Sequence, residues 1–153
     1  MRFKFVALVL LAIVVSATAR TYGRATGWSE AQGCLSIGDG SYRLAKDGRA
    51  DVTVRLDPSA SAPTVRIGMA ETADEADLVL VDDGNTAPAC PPAAKAVRID
   101  DSATTPDIVI GFAAEADADY RLFVRSRWIT PESAAALFAA SKVPPRKLAN
   151  RSE

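Results

Sequence analysis

The chain has 153 residues, 48% of them hydrophobic and 24% charged, which is the length and composition of one ordinary globular domain. Eighteen basic residues face 19 acidic ones, for a net charge of −1, and this balance argues against a dedicated nucleic-acid binder. There is no histidine, which removes Ser-His-Asp and Cys-His catalysis, His-ligated metals and the usual near-neutral general base.

Residues 1–19 read as an export leader. Arg2 and Lys4 precede an uninterrupted apolar run over 5–15, and Ala17 and Ala19 supply an A-x-A cleavage site. The charge-free stretch over 5–19 is shorter than the roughly 20 apolar residues a spanning helix needs. Contact with a membrane is therefore expected only through this segment, should it stay uncleaved. The expected product is a single exported domain over 20–143, periplasmic or secreted, with a disordered tail over 144–153. Behind such a leader, Cys34 and Cys90, the only two cysteines, read as one disulfide. In the chain-entropy account, closing a loop of this length stabilises the fold by about 4 kcal/mol.

Residues 20–33 read as irregular. A strand is expected over about 41–45. Asp47-Gly48 then forms a two-residue turn signal before the alternating run Val52, Val54, Leu56, so the pair reads as a hairpin. Residues 50–84 align without a gap to 93–127 at an offset of 43, with thirteen of 35 positions identical. Matched pairs include Arg55/Arg98, Asp57/Asp100, Pro63/Pro106, Gly68/Gly111 and Asp74/Asp117. Two copies are too few for a solenoid, which points to a duplicated unit packed on itself. Each copy reads as three strands: 52–56, 65–69 and 78–81 in the first, with 108–112 and 122–124 among those matched in the second. A short acidic connector, a turn or one helical turn, precedes the last strand. The alternation and the short connectors favour antiparallel pairing with one wet face. Residues 84–92 form a loop between the copies.

The closing segment predicts a helix over about 131–142. Thr130 suits the N-cap, Pro131 the first helical position and Glu132 the first turn, and Pro144-Pro145 end it. Leu137, Phe138, Ala134 and Ala135 can face the sheet. The expected class is mainly β with one C-terminal α-helix (α+β). Antiparallel strands from two 43-residue internal repeats would form a sandwich or a sheet-plus-helix layout.

The leader together with VRID, PDIVIGF, DYRLFVRS and AAALFAA resembles a group of small exported bacterial proteins of unknown function, over about residues 50–140. The resemblance implies export and a compact strand-rich domain ending in a helix. It implies no catalytic residue, cofactor or partner.

Three constellations could carry chemistry. Residues 71–119 hold twelve carboxylates against Lys95 and Arg98. Asp82, Asp83, Asp100 and Asp101 are candidate calcium ligands because oxygen donors on loops suit that ion, although their spacing matches no twelve-residue calcium loop; a solvated acidic edge is the plainer reading. The pairs Asp57/Asp100 and Asp74/Asp117 could in principle serve as acid and base in glycoside cleavage. Finally, Arg121, Arg125, Arg127 and Trp128 lie on or beside the last strand, with Arg55 and Arg98 at matched positions. An arginine stripe of this kind would grip a carboxylate or phosphate, and the tryptophan would suit a sugar or protein. The expectation is a non-catalytic binding or structural module of the cell envelope that needs no cofactor. Its partner would be an envelope protein or an acidic glycan, and not a nucleic acid. The alternative is a calcium-binding or carboxylate-based hydrolase.

Overall fold

The structure is a computed structural model that describes residues 33–85 and 87–142. The expected leader over 1–19, the segment 20–32 with Trp28 and the tail over 144–153 lie outside the described residues. Among the described residues no helix is long and apolar enough to cross a membrane.

Among the described residues, eight strands and one helix follow in chain order: β1 (Cys34–Ile37), β2 (Gly40–Leu44), β3 (Val52–Leu56), β4 (Val65–Met69), β5 (Leu78–Asp82), β6 (Lys95–Ile99), β7 (Ile108–Phe112), β8 (Tyr120–Ser126) and α1 (Pro131–Lys142). The protein is mainly β with one C-terminal helix, as its sequence predicts. Single 3-10 turns occupy the acidic connectors at Ala73–Glu75 and Glu115–Asp117.

The pairing differs from the expectation. All strands join one mixed sheet in the order β1-β2-β6-β3-β7-β4-β8-β5. Only β1 and β2 are antiparallel, and every other neighbouring pair is parallel. The hairpin is therefore β1–β2, turned at Gly38 with φ 56°, and the strands flanking Asp47-Gly48 are separated by β6. The reason lies in interleaving. Strands β2, β3, β4 and β5 alternate with β6, β7 and β8. Only the link from β5 to β6 passes four strands, and each connector within either group has only one strand to skip. That move needs about 10 Å across and about 17 Å back along a five-residue strand. An extended stretch such as 57–64 reaches about 27 Å, so no crossover helix is required. A sheet this staggered curls instead of stacking into a sandwich. Strands β3 and β6 start 43 residues apart, as do β4 and β7, while β5 and β8 start 42 apart.

The connectors cross the outer face of the skipped strand. A Cβ on Gly111 of β7 would lie 3.0 Å from Pro63 Cγ, and one on Gly68 of β4 would lie 3.0 Å from Ala118 Cβ. At the corresponding place on β3, Arg55 Nη1 donates to Ala103 O at 3.2 Å, and on β6, Arg98 Nη1 donates to Gly48 O at 3.5 Å. Glycine thus lets a loop sit directly on the strand, and arginine holds one at arm's length.

The residue ahead of five of the strands repeats one device. Asp51, Asp107, Thr64, Asp119 and Asp77 donate their backbone N–H to the carbonyls of Ala96, Thr53, Val109, Arg66 and Arg121 at 2.7–2.9 Å. Their side-chain oxygens accept the N–H of those same residues at 2.7–3.0 Å. Each recipient is the second residue of the adjacent strand. The series climbs from β6 through β3, β7, β4 and β8 to β5, and supplies the hydrogen bonds that a staggered parallel sheet lacks where each strand begins.

The inner face wraps α1. Val54, Ile67, Val97, Ile108, Ile110 and Leu122 are buried against it, each contributing about 1.5–3 kcal/mol on burial. The helix packs on β1, β2, β3, β4, β6, β7 and β8. All residues from Ser133 to Ala140 are buried, where the sequence led us to expect one buried face. A helix that is apolar on every side belongs inside a core. Its alanines let the sheet close around it. Thr130 Oγ1 caps it by accepting from Ser133 N at 3.2 Å. Phe138 meets Tyr120 edge to face at 5.1 Å.

Candidate functional site

The site forms where β8 meets β5, the last strand of the sheet. Tyr, Leu, Phe and Val make β8 a good strand former, and alternation sends Leu122 and Val124 inward and Arg121, Phe123 and Arg125 outward. Parallel pairing places Val79 beside Phe123 and Val81 beside Arg125. Val79 is 47% exposed and Val81 44%.

Past β8, Ser126 Oγ accepts the N–H of Trp128 at 3.0 Å and of Ile129 at 3.1 Å, which turns the chain towards α1. Ile129 is then buried beside Gly33. The end of β8 and this turn together aim three side chains at the 83–85 segment after β5. Arg125 Nη2 pairs with Asp83 Oδ2 at 3.2 Å, Arg127 Nη1 donates to Asn85 Oδ1 at 3.4 Å and Trp128 Nε1 donates to Gly84 O at 3.2 Å. The Arg125–Asp83 pair is exposed and stabilises little by itself.

Of the four candidate binding residues, Arg125, Arg127 and Trp128 therefore meet as a clasp at the end of β8 and its turn. Arg121 stands four residues back along the same outer face, and its backbone N–H takes Asp77. Arg55 and Arg98 also face outward, but they lie under connectors, and the Nε of each is buried with no partner among the described residues. They hold loops and do not extend the stripe. Arg43 and Arg66, both exposed on the outer face, went unnoticed in the sequence, as did the exposed edge made by Val79 and Val81. Alternation marks which face they occupy, but only the strand order puts β5 at the rim.

The candidate calcium ligands lie apart. Asp82 ends β5 and Asp83 follows it, Asp100 and Asp101 follow β6, and four strands intervene. Asp82 Oδ1 accepts from Gly84 N at 3.0 Å, and Asp101 Oδ1 from Leu56 N at 3.2 Å. Asp100 takes the Ser102 hydroxyl at 2.6 Å and its N–H at 3.0 Å. These bonds, with Arg98 nearby, hold the Asp100 carboxyl below the ordinary aspartate value. Asp57 binds Ser59 in the same way. Among the described residues no group of three or more carboxylates or cysteines is disposed to hold a metal. A cleft of about 290 Å³ lies at the opening ends of β3 and β6, lined by Asp51, Val52, Ala93, Lys95 and Ala140. None of the candidate binding residues lines it.

Comparison of the chain with protein families, with curated proteins and with solved structures gives no match in any of the three.

Proposed function

We propose that this chain is a non-catalytic exported module of the cell envelope that binds another protein through the outer face of β8 and β5. The observation that carries this reading is the placement of exposed Val79 beside Phe123 and of exposed Val81 beside Arg125 on the rim of the sheet. Exposed apolar side chains edged by guanidinium groups are the composition of a protein-binding patch. The leader over 1–19, the resemblance to small exported bacterial proteins and the Cys34–Cys90 disulfide support export, since such bridges persist in oxidising compartments. The interleaved segments 50–84 and 93–127 are two copies of one unit in this reading. Matched Arg55/Arg98 and Gly68/Gly111 support that, because each pair meets a crossing connector in the same way.

The test is crosslinking of the full-length protein in intact cells, followed by affinity recovery and mass spectrometry. One reproducible envelope protein, lost on Arg121→Glu, is expected. Recovery of acidic glycan with no protein would replace the partner, and retention of the partner by Arg121→Glu would overturn the site.

A further inference from the structure

The series of side-chain acceptors that climbs the sheet stops one step short. Five times, the second residue of a strand gives its N–H to an Asp or Thr oxygen and its C=O to that same residue's N–H, at the opening of the next parallel strand. The recipients are Ala96, Thr53, Val109, Arg66 and Arg121. The next residue in this series is Val79, the second of β5. Among the described residues, strand β5 has one hydrogen-bonded neighbour, β8. In the pattern set by β4 and β8, the N–H and C=O of the second residue face away from the strand before, so those of Val79 face outward from the rim.

Resting on the reading of this edge as the binding surface, we propose that β5 receives a parallel strand from a partner protein, one that opens with an aspartate and continues with alternating apolar residues. The opening aspartate takes the Val79 N–H and returns its own N–H to the Val79 carbonyl, as Asp77 does to Arg121. Charge favours an acidic opening residue, since Arg121 and Arg125 lie on the two diagonals from Val79 on the same outer face. In that register the first apolar side chain of the incoming strand lies beside the half-buried Leu80 inside, and the residue after it lies beside Val81 outside. Main-chain hydrogen bonds supply affinity and the opening residue supplies direction, as in other cases of strand addition to a sheet edge.

The probe is a synthetic peptide of residues 118–126, ADYRLFVRS, which carries the chain's own opening aspartate and strand. It is titrated into isotope-labelled full-length protein while backbone amides are followed by NMR. The expected result is shifts centred on β5, with binding roughly tenfold weaker for the peptide whose aspartate is alanine. Val79→Pro should abolish binding while keeping the fold, because an edge strand tolerates proline where the N–H faces solvent. In unbound protein the Val79 amide should exchange quickly, and those of Arg66 and Arg121 slowly. This second measurement needs no variant. A slowly exchanging Val79, or equal binding of the aspartate and alanine peptides, overturns the proposal. So does a peptide-free dimer dissolved by Val79→Pro, which makes the occupant a second copy. A partner lost on Arg121→Glu but kept by Val79→Pro leaves the surface standing and removes the added strand.

Discussion

Asp107 acts as a piece of backbone. Its carboxylate and its own N–H together embrace Thr53, where a regular strand would not yet have begun. Replacing it with alanine leaves the Thr53 N–H half-buried without an acceptor, which costs about 1–3 kcal/mol. Asparagine keeps an oxygen in place and should recover most of that loss. Urea titrations should show the midpoint falling for Asp107→Ala with the slope unchanged, and equal midpoints for the two variants would remove this role. The signal was present in the sequence: Asp51-Val52, Asp77-Leu78, Asp107-Ile108 and Asp119-Tyr120 each set an acid directly before an alternating run. It passed for a solvated acidic edge because aspartate is abundant throughout the chain, and nothing local tells a carboxylate that meets an amide from one that meets water.

The helix shows the same division between what a segment declares and what its surroundings decide. Its ends were legible from Thr130, Pro131 and the prolines beyond, and its limits agree with them. Its burial was not, although AAALFAA carries no polar face to point at solvent. Ala135 lies fully buried within the curl of the sheet. Ala135→Leu should therefore cost about 1–3 kcal/mol by overpacking, where leucine on a wet helix face would be neutral. A thermal midpoint unchanged by that substitution would mean the sheet can open to admit it. The strands were legible in the same partial way. Alternation located β3, β4, β5, β7 and the heart of β8, but period two is the same in parallel and antiparallel sheets. The short connectors favoured hairpins only as long as neighbours in sequence were taken as neighbours in space.

At the scale of the molecule, no strand among β2, β3, β4 and β5 pairs with another of that group. Cutting the chain after residue 92 should therefore abolish the cooperative unfolding transition seen by circular dichroism, beyond what loss of three strands costs a sheet of hairpins. A cooperative melt from residues 20–92 would contradict the interleaved order. Such a sheet is built almost wholly from contacts distant in sequence, and folds of that kind form slowly. The part that closes the core is also made after every strand of the sheet. Sixty residues separate the end of β5 from Lys142, so at ordinary synthesis rates the earlier strands wait roughly 3–12 s for their partners. During that interval the first half has no sheet to join and stays open to whatever acts on unfolded chains. The weave itself keeps the chain open and threadable until the helix α1 arrives.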